Sequence, residues 1–186
     1  MLSGLLVLSL AGISYGAEEA ENSAFDFSKN GYEKWKSISP EASIEKKKDG
    51  ETPIMVFKVK IDHEKDGKGW PRIYKYFFHP KIEISKYKEY IFEYKITTSR
   101  SDDNKEKTPF YIYFATGKTK ITYTIDGGKE DGQWHSKVVK IADILARGKV
   151  TAEDFKQVNL VQFGVAEATY PDKTEITIEI KGVQLQ

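Results

Sequence analysis

The sequence contains no cysteine among its 186 residues. This absence excludes disulfides, thiolate metal sites and a lipid anchor on an N-terminal cysteine. The chain also lacks an excess of charge of either sign, because 29 Lys and Arg balance 28 Asp and Glu. Balanced charges that interleave along the chain are typical of a solvated surface, so we predict no nucleic-acid partner.

Compact catalytic and metal-binding motifs are also missing. The segment Gly117-Lys118-Thr119 lacks the earlier glycine of a phosphate-binding loop. The carboxylates of residues 62–67 resemble the start of a calcium loop, but Ile73 stands where a bidentate Glu is required. The three histidines lack paired metal-ligand spacing: they are His63, His79 and His135. We therefore predict no catalytic residue, no metal site and no cofactor.

The N-terminus carries the one long apolar run, from Leu2 to Ile13, followed by small residues. This pattern predicts a signal peptide over residues 1–16, although no Lys or Arg precedes the run. A short membrane anchor is the alternative, but the run is too short for a comfortable span. We expect a flexible leader over residues 17–23, one domain over residues 24–186, and a secreted or periplasmic protein with no membrane span after cleavage.

Strict alternation of side chains is the strongest structural signal. Phe110, Ile112 and Phe114 share one parity, whereas Tyr111 and Tyr113 share the other. A short Gly-containing break separates this run from a second alternating run over residues 120–125, which predicts a β-hairpin. The first parity is the more apolar, so we expect it to face the core and the two tyrosines to be exposed on the opposite face.

Similar alternation predicts strands over residues 54–61, 70–79, 90–98, 158–165 and 175–185. Trp35 and Trp134 are predicted core anchors, and residues 99–108 an exposed loop. Helical spacing over residues 141–147, ended by Gly148, and a cap at residues 151–154 predict short helical insertions. The predicted fold is an all-β, antiparallel two-sheet β-sandwich with one or two such insertions. The predicted core residues are Phe92, Tyr94, Phe110, Ile112, Phe114, Phe163 and Ile178.

Several phrases of the sequence occur in a familiar order: an early Phe-Asp-Phe near a Trp, then Trp70-x-Arg72-Ile73, residues 84–92, and residues 132–135 leading to residues 141–145. Over residues 24–186 this order resembles galactose-binding-like jelly rolls and the bacterial carbohydrate-binding modules built on that fold. The resemblance implies a two-sheet jelly roll that binds glycans on a sheet face or at its loops. Many such modules carry a structural calcium, but its ligands cannot be matched to this sequence residue by residue, so the resemblance predicts no calcium site here.

A sugar-binding surface combines flat aromatic rings with planar polar groups. Tyr111 and Tyr113 are two residues apart on one strand face, about 7 Å by ideal geometry. Gln162 has the parity opposite to its strand's core residues, and Trp70 begins a strand. The candidate ligand-binding residues are Arg72, Tyr74, Tyr76, Tyr111, Tyr113, Gln162 and Trp70. Tyrosine is also common in strands for structural reasons alone.

Three functions fit these features. The leading hypothesis is an exported, non-catalytic carbohydrate-binding module whose partner is a polysaccharide or oligosaccharide. The second is an envelope scaffold or protein-interaction domain on the same fold, with another envelope protein as partner. The third is a small jelly-roll polysaccharide lyase or hydrolase in which Tyr, His and Arg act together. Carboxylates are also abundant enough for a glycosidase pair, although Glu93 has no identifiable partner carboxylate.

Overall fold

The computed structural model describes residues 35–37, 41–64, 71–76, 82–100, 110–116, 119–124, 129–166 and 169–186. The predicted signal peptide, the leader and Trp70 therefore lie outside the described residues. The strands, in chain order, are β1 (Lys36–Ser37), β2 (Ala42–Asp49), β3 (Thr52–Lys60), β4 (Arg72–Tyr76), β5 (Glu89–Thr98), β6 (Phe110–Ala115), β7 (Lys120–Thr124), β8 (His135–Lys140), β9 (Leu160–Val165) and β10 (Glu175–Leu185). A helix, α1 (Ile141–Gly148), follows β8, and 3₁₀ turns cover Ile84–Lys86 and Glu153–Gln157.

The strands form two antiparallel five-stranded sheets. The first sheet has the order β1-β4-β9-β6-β7 and the second has the order β2-β3-β10-β5-β8. The predicted hairpin is β6–β7, with Phe114 opposite Ile121. The predicted antiparallel β-sandwich with short helical insertions is thus confirmed, and it has the architecture of a jelly roll.

Alternating residues of both sheets meet in a single core. All seven predicted core residues are buried. The ring of Phe163 in the first sheet stacks on Phe110 at a centroid distance of 5.8 Å and meets Phe92 of the second sheet edge-on at 6.1 Å. Trp35 is 5% exposed and stacks on Phe163, which confirms its predicted role. Burial of these rings, together with the Ile and Val side chains of the same core, drives the two sheets together.

Two predictions about individual residues are wrong. Trp134 does not reach the core: it is half-buried outside the second sheet, where the ammonium groups of Lys95 and Lys181 lie 5.2 and 4.2 Å from its ring centroid. Arg100, predicted to lie in an exposed loop, has a fully enclosed side chain that faces Glu130. Both errors have the same cause: the groups that surround Trp134 and Arg100 come from distant parts of the sequence.

The predicted end of the helix is correct, but the role of Gly148 differs from the expected one. The left-handed residue after the helix is Lys149, with φ 51°. A Cβ on Gly148 would come within 2.7 Å of Ile121 Cδ1, so this glycine lets α1 approach β7 closely. Before the second 3₁₀ turn, Asp154 N donates to Thr151 Oγ1 at 3.4 Å and Thr151 N donates to Asp154 Oδ2 at 2.9 Å, although the residue that directly caps the turn is Ala152.

Candidate ligand-binding groove

The candidate site is a groove on the outer face of the first sheet, opposite the core. Its volume is about 510 Å³, within the range of about 300–1,000 Å³ typical of small-molecule sites. The described lining residues come from β4, β6, β7 and β9 and from the chain beside them. They are Arg72, Tyr111, Tyr113, Ala115, Thr116, Lys120, Thr122, Asn159, Leu160 and Gln162.

Strand register explains why these side chains converge. Gln162 in β9 lies between Tyr74 of β4 and Tyr113 of β6, and Tyr113 lies opposite Thr122 of β7. Residues opposite one another on neighbouring strands point to the same face and lie about 5 Å apart. Four strands therefore contribute one continuous row of tyrosine, amide and hydroxyl groups to the outer face.

The adjacent row is interrupted by a glycine. Gly164 of β9 lies opposite both Arg72 of β4 and Tyr111 of β6. A Cβ at Gly164 would come within 2.8 Å of Tyr111 Cε1, and still closer to the Cζ and hydroxyl of that ring. The hydroxyl end of the Tyr111 ring therefore lies over Gly164 and fills the space that a side chain would occupy.

This packing contradicts the predicted exposure of Tyr111 and leaves Tyr113 as the exposed tyrosine of the pair only in part. Tyr111 has the predicted outward parity but is only 4% exposed, so its ring is not an exposed stacking platform. Burial raises the pKa of Tyr111 to about 12, against the opposing effect of the Arg72 charge. Its hydroxyl is therefore neutral at ordinary pH. Tyr113 is half-buried and presents the accessible aromatic ring of the groove.

The structure brings together four of the seven predicted site residues: Arg72, Tyr111, Tyr113 and Gln162 all line the groove. Tyr74 lies beside Gln162 in the same row but is not among the lining residues. Tyr76 belongs to β4 opposite Leu160, although its side chain is outside the described part, and Trp70 is outside it altogether. Their roles in binding remain predictions.

The sequence-based prediction of the site did not include Thr122 and Lys120 of β7 or Asn159 just before β9, all of which line the groove. Thr122 and Lys120 come from the second strand of the hairpin, and their parity opposite Ile121 and Tyr123 already placed them on the outer face. Asn159 joins them because its backbone N–H donates to Ala115 O at 3.0 Å, which fixes the start of β9 beside the end of β6. That contact spans distant parts of the chain and has no local sequence signal.

A second polar cluster lies at the loop end of the sandwich. The Arg100 guanidinium lies 3.5 Å from Glu130 and 4.8 Å from the Tyr170 ring centroid, while Tyr170 donates to Glu130 Oε1 at 2.6 Å. Both members of the ion pair are fully enclosed, so this cluster connects three segments rather than offering an open site. Within the described ranges, no group of three or more His, Asp or Glu residues is placed to hold a metal ion.

No protein-family model and no curated protein sequence matches this chain. Solved structures do share its fold. An exo-β-agarase superposes with a TM-score of 0.53 at 16% identity over 87% of this chain, which spans 24% of the agarase chain. A family 30 carbohydrate-binding module superposes with a TM-score of 0.52 at 14% identity, covering 80% of this chain and 77% of the module.

These similarities agree with the resemblance inferred from the sequence: the domain has the jelly-roll fold of carbohydrate-binding modules. At such low identity the likeness shows the fold alone, and function must be argued from the site. Among the described helices, none combines the length and apolar character needed to cross a membrane.

Proposed function

We propose that this protein binds a glycan in the groove on the outer face of its first sheet. The observation that carries the proposal is the row of Gln162, Tyr113 and Thr122, which places an aromatic ring between an amide and a hydroxyl on three adjacent strands. A sugar ring presents an apolar C–H face and hydroxyl edges, and both features have partners in this row.

Each part of the groove has a distinct role in this proposal. Tyr113 stacks against the apolar face of one sugar unit, while Gln162 and Asn159 exchange hydrogen bonds with its hydroxyls. Arg72 donates from one end of the groove. Tyr111 is a positioning residue: buried over Gly164, it forms the floor and fixes the height of the neighbouring side chains.

We also propose that binding is not accompanied by cleavage and that the protein is exported. The described groove lining contains no Asp or Glu and therefore no carboxylate pair of the kind most glycosidases use. Incubation with a bound polysaccharide should release no reducing ends and no unsaturated sugars.

The proposed export has its own test. The N-terminal sequence of extracytoplasmic protein should begin near Ala17; a chain retaining residues 1–16 in the cytosol would contradict export.

Affinity electrophoresis on gels containing polysaccharides tests the proposed function. The wild type should be retarded by at least one glycan, and Gln162→Leu should reduce that retardation because it removes amide hydrogen bonds at nearly constant size. Gln184→Leu is the matched control, since Gln184 is exposed on β10 of the other sheet. Absence of binding to every glycan, or equal losses in the two variants, would contradict the proposal.

A further inference from the structure

The strands of the two sheets differ in their content of acidic residues, although the charges of the whole chain are balanced. The strands of the second sheet contain six acidic residues: Glu45, Asp49, Glu89, Glu93, Glu175 and Glu179. The five strands of the first sheet contain no Asp or Glu at all, but include Lys36, Arg72, Lys75 and Lys120. The strands of the second sheet also contain nine lysines, so both sheets have a net positive charge. What distinguishes the sheet that bears the groove is that its strands have cations and no carboxylates beside them.

Two of these cations line the groove itself. Arg72 and Lys120 are both lining residues, and every other described lining residue is uncharged. The Nε atom of Arg72 is buried and finds no hydrogen-bond partner within the part of the chain that the structure describes. A buried donor without a partner costs free energy.

The strand register separates the two cations. Lys120 lies in the same row as Ala115, Leu160 and Tyr76, and Tyr76 is four residues along β4 from Arg72. By ideal sheet geometry the two Cα positions are about 14 Å apart across the strands and about 13 Å apart along them. A single sugar unit does not span that diagonal, whereas a chain with repeated charges does.

We propose that the groove selects an anionic glycan, one that carries carboxylate or sulfate groups on its sugar units. This inference rests on the proposed glycan-binding function and specifies its ligand class. The planar guanidinium of Arg72 matches two oxygens of a carboxylate or sulfate, and Lys120 provides a second point of attraction at the opposite corner. The absence of carboxylates from the described lining removes the repulsion that such a chain would otherwise meet.

Matched pairs of polysaccharides test the ligand class. Polygalacturonate is compared with highly methyl-esterified pectin, which keeps the backbone but masks the carboxylates. A sulfated galactan is compared with neutral agarose. We expect at least one charged member to bind more than about tenfold tighter than its neutral partner, and this preference to decrease as salt is raised from about 0.05 to about 0.5 M because screening weakens ion pairs. The pair that responds identifies the anionic group.

Variants that remove single charges test which cations produce the preference for anionic polysaccharides. Arg72→Gln should weaken binding of the anionic polymer about tenfold, whereas Arg72→Lys should retain the salt dependence with a smaller loss. Lys120→Gln, at an exposed position, should weaken binding about two- to fivefold. Lys140→Gln is the charge-matched control because Lys140 is exposed on β8 of the other sheet. Thermal unfolding of each variant confirms that it is folded.

The outcomes separate the two proposals. Equal binding of both members in each pair, or a stronger neutral ligand, would overturn the anionic preference while leaving glycan binding intact. A preference that Lys140→Gln reduces as much as Lys120→Gln and Arg72→Gln would also overturn it, since the charge would then act from elsewhere. Binding to no polysaccharide of either kind would contradict the proposed function itself, and with it this inference.

Discussion

The hydroxyl end of the Tyr111 ring lies over Gly164, and the absence of a side chain at that glycine is what lets an outward-facing tyrosine become buried. The pair forms the floor beside which Tyr113, Gln162 and Arg72 are held.

Gly164→Ala should displace the Tyr111 ring, because the new methyl group would overlap it. We expect a loss of about 1–3 kcal/mol in the free energy of unfolding, the usual cost of overpacking. Denaturant unfolding of Gly164→Ala, Tyr111→Ala and the double variant measures the coupling between the two sites. The double variant should lose less than the sum of the single losses; strictly additive losses would show that the ring does not occupy this space.

Phe114→Ala should destabilise the sandwich by about 3–5 kcal/mol, because a buried ring would be replaced by a cavity. Phe114 is fully buried and packs edge-on against Tyr90 of the other sheet at 5.8 Å. Urea unfolding measures the loss, and Val138→Ala, at an exposed position of β8, is the control. A loss below about 1 kcal/mol would mean that the ring does not support the core.

Arg100→Met should cost about 3–5 kcal/mol, since it leaves the enclosed carboxylate of Glu130 without its cation. The double variant Arg100→Met with Glu130→Gln removes both charges and should recover part of the loss. Equilibrium unfolding of the two single variants and the double variant gives the coupling. A double variant no more stable than Arg100→Met would show that the two charges are not paired in solution.

Acid stability should depend on Glu179. Burial raises the pKa of this carboxyl, but hydrogen bonds and charges from Lys47 and Lys95 oppose burial and lower the pKa overall. A carboxylate whose pKa is lowered by folding stabilises the protein above its unfolded pKa of about 4.3, and that contribution is lost as pH falls through the folded pKa. Glu179→Gln should therefore differ most from the wild type near neutral pH. A stability difference that stays constant between about pH 7 and about pH 3 would contradict this coupling.

Local patterns sufficed for the fold but only partly for the site. Alternation identified the hairpin, the core parity and the outward face because side-chain direction in a strand repeats every two residues. Exposure on that face depends on cross-strand neighbours, which alternation does not report. Gly164, which lies within β9 on the outward parity, is the local sign that a neighbour's side chain lies over that strand.

The environments of Arg100 and Trp134 also could not be predicted from local sequence. Residues 99–108 contain no apolar side chain, so the sequence predicts an exposed loop, yet Arg100 is enclosed because Glu130 and Tyr170 reach it from two other segments. Trp134 is predicted from the sequence to be a core anchor, but Lys95 and Lys181 cover it outside the second sheet. Partners brought together by topology decided both cases, and neither spacing nor composition contains that information.

The central claim is that the Tyr113 ring binds sugar on the outer face of the first sheet. Isothermal titration of Tyr113→Ala with a glycan that binds the wild type is its most direct test, with Trp134→Ala, on the outer face of the other sheet, as the control. Loss of the stacking contact should weaken binding by about 0.5–1.5 kcal/mol with little change in thermal stability. Unchanged affinity in Tyr113→Ala together with lost affinity in Trp134→Ala would place the site on the wrong sheet and contradict the account.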